Sequence, residues 1–471
     1  MIGMLLRKVN PMTTTKRSNI VNMTEGSPAK LILAFALPML LGNLFQQFYN
    51  MVDCIVVGKC VGDNALAAVG ATSSVNFFFF SISNGIGTGI GIVAAQFFGA
   101  GDHDRVRRSI ANSVYVVGLV GLLMSTLGFL SAFPLLHLLD TPADCVDMSI
   151  TYMQITCGCS LAVVGYNTVS SLLRALGDSK TPLIFLVVSC VLNVILDLTF
   201  VMALGLGVAG VAWATVIAQV FSTVACVVFA RIHNPYFRLT KEDRRPDTDI
   251  IKKSFAIGVP ISFMMSTISV SCIALQWVVN GFGPVVGAAN TAIVKIEQII
   301  QQPYGSLSAA LSSYAGQNLG AGKIDRIKKG YRVGVRFVLI FSAVMFLIPK
   351  IFGRQIIGIF VNDPQAIEIG AKGLLISSSF YALLGMIYIS RGTLNGIGDS
   401  KYAMLNGFTE LGCRCALPKP ITSVPQIGKW GIWITTGLTW SITGIMSLIR
   451  YRIKMRQMSW KEVFDKSAEL Q

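Results

Sequence analysis

Three polar residues within apolar stretches are the strongest candidates for chemistry in this chain. Asp53 lies late in the apolar residues 30–57, and Asp197 lies in the apolar residues 182–203. Asn193 precedes Asp197 by four positions, so a helix places both side chains on one face. A desolvated carboxyl group beside an amide can load a proton or sodium ion in one conformation and release it in another. We therefore predict that Asp53, Asn193 and Asp197 form an ion-coupling site.

A second set of residues is predicted to line a cleft for substrates. Aromatic rings and flexible methionine side chains suit the binding of varied apolar cations. The alternative is that these residues only hold helices together, since amides also hydrogen-bond between helices in lipid. The candidates are Gln46, Tyr49, Met264, Glu297, Gln298 and Gln301.

Two further pairs are assigned structural or gating roles. Pro38 and Pro260 occupy matching places in two long apolar runs, where a proline frees a carbonyl group and kinks a helix. Paired kinks of this kind fit gating helices. Glu410 and Arg414 are spaced to form an ion pair on one helix, which lowers the cost of placing charge in lipid.

The composition indicates that membrane-spanning helices position these residues. The 471 residues are 53% hydrophobic and 13% charged, whereas soluble domains carry roughly 25% charged residues. A span needs about 20 apolar residues, and we identify twelve such segments. They are rich in glycine and do not alternate, which favours helices over barrel strands. The predicted fold class is an all-α integral membrane protein with twelve transmembrane helices.

The chain is a duplicated unit. Residues 94–101 (AAQFFGAG) reappear as residues 315–322 (AGQNLGAG), and the Gly-Asp-Ser-Lys of residues 177–180 reappears at residues 398–401, with the same step of 221 residues. Each unit holds six spans, an even number, so both units enter the membrane from the same side. Two parallel six-helix bundles, related by a pseudo-two-fold axis along the membrane normal, are expected to rock about a central cleft.

The charges predict the orientation of these bundles. The loops at residues 99–109, 231–253 and 316–332 are basic and fall on one side of the alternation, which the positive-inside rule places in the cytoplasm. The predicted order is a cytoplasmic N-terminal arm (1–29), a first bundle (30–230), a cytoplasmic linker (231–253), a second bundle (254–450) and a cytoplasmic tail (451–471). We expect a multi-pass protein of the bacterial plasma (inner) membrane.

Several other classes of function are disfavoured. The net charge of +16 lies between apolar runs, so it orients spans and does not indicate a nucleic-acid partner. The ten cysteines form no CxxC metal pattern, and the sequence contains no GxxxxGK[ST] phosphate loop. We expect a non-enzymatic protein without a metal or cofactor, driven by a proton or sodium gradient. Its expected partners are small organic molecules and the lipid bilayer, and it is expected to be monomeric.

The repeated motifs resemble those of the multidrug and toxic compound extrusion (MATE) transporters. The resemblance rests on Gln-x-x-Gly-Ala-Gly after spans 2 and 8, Gly-Asp-Ser-Lys after spans 4 and 10, and a proline in spans 1 and 7. It implies two six-helix lobes that export organic, often cationic, compounds in exchange for protons or sodium. By motif position, Asp53, Asn193 and Asp197 match the first-lobe ion site of one bacterial branch. The acid that another branch places in span 7 is absent from residues 254–281.

Span 11 departs from the family pattern. It contains Pro418-Lys419-Pro420, and two prolines around a lysine predict a break near Leu417. We hypothesise that this break weakens the second bundle.

Other membrane proteins remain as alternatives. A major-facilitator transporter also has six plus six spans, but the repeated Gly-Asp-Ser-Lys does not belong to it. A flippase for lipid-linked precursors would favour a cationic cleft, whereas the first bundle carries acids. A channel or scaffold would have no use for two costly buried acids. Protons are favoured over sodium as the coupling ion, because an Asp/Asn pair offers few ligands for a metal.

Overall fold

The structure, a computed structural model, describes residues 19–138 and 141–469. These residues form helices joined by short connections and contain no β-strand, which confirms the predicted all-α class. The helices of the first half are α1 (Pro28–Val56), α2 (Asp63–Gly99), α3 (His103–Leu138), α4 (Ala143–Gly158), α5 (Ser160–Ala175), α6 (Lys180–Leu198) and α7 (Gly207–His233). Those of the second half are α8 (Thr248–Asn280), α9 (Pro284–Gly320), α10 (Ile324–Gly358), α11 (Pro364–Ser378), α12 (Tyr381–Gly396), α13 (Lys401–Ala416), α14 (Pro418–Thr422) and α15 (Gly431–Glu469).

All twelve predicted spans are helical. Within the described residues, eight helices are long and apolar enough to cross a membrane, and two bent pairs, α4 with α5 and α11 with α12, raise this number to ten. The other two predicted spans are α9 and the α13–α14 segment, which carry more polar residues. Glu297 lies in α9, and Glu410 and Arg414 lie in α13.

Spans 4 and 10 are bent, although the sequence predicted continuous helices over residues 150–173 and 369–392. The chain turns by 43° between α4 and α5 and by 49° between α11 and α12. The breaks lie at Cys159 and Phe380, which are 221 residues apart and share non-helical backbone angles (φ −101° and −104°). Near the first break, the Ser125 hydroxyl accepts a hydrogen bond from the Leu161 N–H at 3.3 Å. The duplication therefore preserved a bend that no proline signals.

Span 11 is broken where the sequence predicted. Helix α13 ends at Ala416, and the short α14 begins at Pro418, whose ring nitrogen has no hydrogen to donate to the preceding turn. Leu417 between them keeps helical angles (φ −83°, ψ −32°), so the interruption is confined to about one residue. Lys419 extends outward, with its Nζ atom 4.5 Å from the centre of the Trp277 ring.

Restoring a continuous span 11 is expected to stabilise the protein. Replacing Pro418-Lys419-Pro420 with three leucines should raise the melting temperature and the yield of purified protein, because helix α13 can then continue through residue 420. Lys419→Leu is the matched control, since it removes the contact with Trp277 but keeps both prolines. Equal expression, stability and efflux of the triple variant and the native protein would show that the break does not weaken the second bundle.

The two halves meet along α2. Its glycines alternate between two neighbours, so that small residues let the backbones approach closely. A Cβ atom added at Gly89 would lie 2.6 Å from the backbone nitrogen of Gly258 on α8, and one added at Gly91 would lie 2.9 Å from the carbonyl oxygen of Ser171 on α5. Helix α2 therefore packs tightly against both halves at once.

The repeated Gln-x-x-Gly motif joins the two halves at one end of the molecule. This end carries the basic loops at residues 99–109, 231–253 and 316–332, and we call it the basic end. Gln96 Nε2 donates to the Gly396 carbonyl at 3.0 Å, and Gln317 Nε2 donates to the Ala175 carbonyl at 2.8 Å. Donors and acceptors are both related by the 221-residue step. We call Gln96 and Gln317 the crossed glutamines, since each binds the opposite half.

The glycines of the same motif allow this contact. A Cβ atom on Gly99 would lie 1.8 Å from the carbonyl oxygen of Gln317, and a Cβ atom on Gly320 would lie 1.8 Å from that of Gln96. Any side chain there requires the helices to separate. The structure therefore has a closed basic end.

Candidate functional site

The structure brings together the three residues predicted to form the ion site. Asp53 lies on α1, and Asn193 and Asp197 lie one turn apart on α6. In the amide orientation that satisfies its neighbours, Asn193 donates to Asp53 Oδ1 at 3.0 Å and to Asp197 Oδ2 at 3.1 Å. Its oxygen accepts from the Thr215 backbone N–H on α7 at 3.2 Å. One amide thus links two carboxylates from different helices.

The site is sequestered from solvent. The exposed fraction is 0% for Asp197 and 1% for Asn193, while Asp53 is half-buried. Asp197 Oδ1 is buried and has no hydrogen-bond partner within the described residues. A buried polar oxygen without a partner is costly. The vacant lone pairs therefore mark a place where a cation, either a proton or a metal ion, would be stabilised.

Two hydroxyl groups complete the surroundings of the ion site. The Tyr49 hydroxyl lies 3.5 Å from Thr215 Oγ1, which itself donates to the Val211 carbonyl at 3.0 Å. Tyr49 also comes within hydrogen-bonding reach of Asp53. Tyr49 was predicted as a cleft residue, and the structure places it beside the carboxylates. The sequence analysis did not identify Thr215, because a single threonine in an apolar helix carries no distinctive signal.

Both helices of the ion site change geometry directly after it. Helix α1 continues as a π-helical turn over Val57–Val61, and α6 continues as a π-helical turn over Thr199–Ala203. Such turns are rare and occur frequently at functional sites. By contrast, α8, the counterpart of α1, continues as a regular helix to Asn280.

The second half has a different set of buried charges. Leu275 occupies the place that Asp53 has in the first half. Glu297 on α9 is 8% exposed, and its Oε1 atom has no partner among the described residues. Glu410 and Arg414 are also buried. The second bundle therefore holds its own polar interior, without the paired aspartates.

The predicted ion pair between Glu410 and Arg414 does not form. Both lie in the described helix α13, yet no nitrogen of Arg414 comes within 4.0 Å of a Glu410 oxygen among the salt bridges of the described residues. Arg414 Nη1 instead donates to Ser271 Oγ at 3.1 Å and to Cys272 Sγ at 2.8 Å on α8. The arginine therefore joins two helices.

The predicted cleft residues do not form one patch. On α9, Glu297 is buried and Gln301 accepts from the Tyr388 hydroxyl at 2.9 Å, whereas Gln298 lies on the exposed face. A helix turns successive residues by about 100°, so Glu297 and Gln298 cannot share a face. Met264 on α8 is 1% exposed, and its sulfur accepts from Arg391 at 3.8 Å. Gln46 is half-buried on α1.

Both predicted gating prolines lie inside long helices. Pro38 is half-buried in α1, and Pro260 is buried in α8. Their gating role remains a prediction. The described residues contain no group of three or more His, Cys, Asp or Glu side chains that could hold a metal ion.

Comparison with known proteins identifies the family. Residues 38–199 and 260–416 match the sequence model of the MatE family. The chain belongs to the MatE family. The two matched segments begin at the paired prolines and include the ion-site aspartates. This MatE protein is therefore a membrane transporter and not an enzyme.

Relatives and solved structures agree with this assignment along the whole MatE chain. It is 29% identical to the "Probable multidrug resistance protein YpnP" of Bacillus subtilis (strain 168), over 92% of this chain and 96% of that protein. It is 27% identical to the "Probable multidrug resistance protein YoeA" of the same organism, over 89% and 93% of the two chains. A solved outward-facing multidrug resistance MATE family transporter superimposes with a TM-score of 0.88 and 21% identity, over 94% of this chain and 100% of that chain, which shows the shared fold.

Proposed function

We propose that this MatE transporter is a cation-coupled multidrug antiporter. It exports organic, often cationic and amphipathic, compounds by alternating access, in exchange for protons. The names of the relatives, "multidrug resistance protein" and "Multidrug export protein", support this class of substrate. The observation that carries the coupling is the Asn193 bridge between Asp53 and Asp197, beside a buried oxygen of Asp197 that lacks a partner.

The orientation of Asn193 favours a proton over sodium. Its amide nitrogen faces both carboxylates and its oxygen faces Thr215, so the amide supplies donors to the site and no ligand for a metal ion. Sodium prefers several oxygen ligands, as other hard cations do. A proton on Asp197 Oδ1 instead gives that atom a donor and removes one of two neighbouring negative charges. We therefore infer that Asp53 and Asp197 share one exchangeable proton.

The coupling follows from the cost of burying charge. In the outward-open state a proton neutralises the pair, and α1 and α6 can remain packed around it. When the proton leaves on the other side, the two carboxylates repel each other and attract a cationic substrate into the cleft. A proton and a substrate cation then compete for the same negative charge, which is the minimum requirement for antiport.

The basic end is assigned to the cytoplasm in this proposal. The net charge of the chain is +16, and its basic loops gather at that end, as the positive-inside rule requires. Both termini then lie in the cytoplasm of a bacterium, and the ion site lies toward the outer leaflet of the plasma membrane. A single chain holds both bundles, so a monomer is sufficient for transport.

Reconstituted protein tests the proposed function. Proteoliposomes loaded with ethidium are given an inward proton gradient or, separately, an inward sodium gradient. We expect uphill ethidium export with the proton gradient only. Uphill export with sodium only would replace the coupling ion, and no export in either case, with folded protein confirmed, would overturn the antiporter.

A further inference from the structure

The described part of the N-terminal arm is built into the protein. Residues 19–26 lie at the basic end, between the two halves, and we call them the strap. Met23, at its centre, is 1% exposed and belongs to a core cluster with Tyr314 and Leu311 of α9. A polar cytoplasmic arm was predicted here, but burial and hydrogen bonds hold these residues in place.

The strap is hydrogen-bonded to the second half mainly through its backbone. The Met23 N–H donates to Gln317 Oε1 at 2.8 Å, and the Met23 carbonyl accepts from Asn318 Nδ2 at 3.2 Å and from Arg326 Nη2 at 3.1 Å. Arg326 Nη1 also donates to the Gly26 carbonyl at 3.0 Å. Backbone groups carry most of these bonds, which explains why the side chains of the strap gave no signal in the sequence.

The strap also contacts the first half. The Val21 N–H donates to the Leu176 carbonyl at 3.2 Å, and Asn19 Nδ2 donates to Thr181 Oγ1 at 3.4 Å. A Cβ atom on Gly177 would lie 2.1 Å from the Val21 carbonyl oxygen, so that glycine makes room for the strap. One short segment is therefore bonded to both halves across their closed contact.

The sequence repeat shows that the strap is specific to one side of the pseudo-two-fold axis. Gln317 is one of the crossed glutamines, and its amide holds both the Ala175 carbonyl and the Met23 N–H. In the first copy, the position of Asn318 is taken by Phe97, whose ring instead faces the Arg105 guanidinium at 5.5 Å. The residues that bind the strap therefore exist only in the second copy.

We propose that the strap is a latch that holds the basic end closed and must leave Gln317 before that end opens. The proposal rests on the alternating access of the proposed function. Opening the basic end separates Gln317 from Ala175, and the strap cannot remain bonded to Leu176 and Gln317 while they move apart. Loss of the latch therefore favours the state that is open at the basic end.

Hydrogen–deuterium exchange of the full-length protein in lipid nanodiscs tests the latch. The variant Asn318→Ala with Arg326→Ala frees the Met23 and Gly26 carbonyls, and Arg105→Ala, at the matching position of the first copy, is the control. The decisive amides are those of residues 96–101, because they lie at the other crossed glutamine and make none of the strap's hydrogen bonds. We expect about three- to tenfold faster exchange there in the double variant, and native rates in the control.

The alternative role of the strap, local packing only, predicts a different result. Faster exchange confined to residues 19–26 and 317–322, with native rates at residues 96–101, would overturn the latch. A second variant that lacks residues 2–22 loses the bonds of Asn19 and Val21 and decides the matter if the double variant does not fold. This measurement needs neither a substrate nor an ion gradient, so it is independent of whether the proposed antiport is correct.

Discussion

Asp53→Asn and Asp197→Asn are each expected to abolish efflux driven by a proton gradient. An asparagine has nearly the shape of aspartate but cannot take up and release a proton, so substrate movement loses its driving force. The bridging amide of Asn193 keeps an oxygen partner on both helices, which preserves the packing of α1 against α6. Ethidium export from proteoliposomes should fall to the level of vesicles without protein, at unchanged yield and melting temperature.

Asp63→Asn provides the control for this prediction. Asp63 lies in the first turn of α2, is exposed and belongs to the first half like the two site aspartates. We expect native efflux from this variant. Retained uphill export in both Asp53→Asn and Asp197→Asn would place the coupling site elsewhere, with Glu297 as the next candidate.

A single methyl group at the basic end is expected to stop the transport cycle. Gly99→Ala places a Cβ atom 1.8 Å from the Gln317 carbonyl oxygen, and Gly320→Ala does the same opposite Gln96. The contact is between backbones, so no side chain can rotate away, and the closed basic end becomes inaccessible. We expect efflux to fall by about tenfold or more, with full expression, because the protein accumulates in the state open at that end.

Gly118→Ala is the control for this substitution. Gly118 lies within α3, and a Cβ atom added there meets no atom within 4 Å. The same chemical change should therefore leave efflux unaffected. Native efflux from Gly99→Ala would show that close contact between the halves at the basic end is not needed for transport.

The ion site was predictable from sequence, and its completeness was not. Acids within apolar spans are expensive, so Asp53 and Asp197 stand out, and their four-residue spacing links Asn193 to Asp197. Nothing in the sequence says that α1 lies beside α6, so the bridge between Asp53 and Asp197 needed the structure. Thr215 was missed because it enters the site through its backbone N–H.

The repeat predicted the duplicated architecture but not what the repeated residues do. A constant step of 221 residues pairs Gln96 with Gln317, yet only the structure shows that each glutamine binds the opposite half. The Glu410–Arg414 pair was wrong for a related reason. Helical spacing describes neighbours on one helix, whereas Arg414 is long enough to reach Ser271 on another helix. Contacts between helices decide such cases.

Proton release by purified protein tests the central claim most directly. The protein is held in weakly buffered detergent solution with a pH-indicator dye, and tetraphenylphosphonium is added as a cationic probe. If Asp53 and Asp197 share a proton that substrate displaces, the native protein acidifies the solution on binding, while Asp197→Asn binds the probe without acidifying it. Probe binding to the native protein with no proton release would contradict the account.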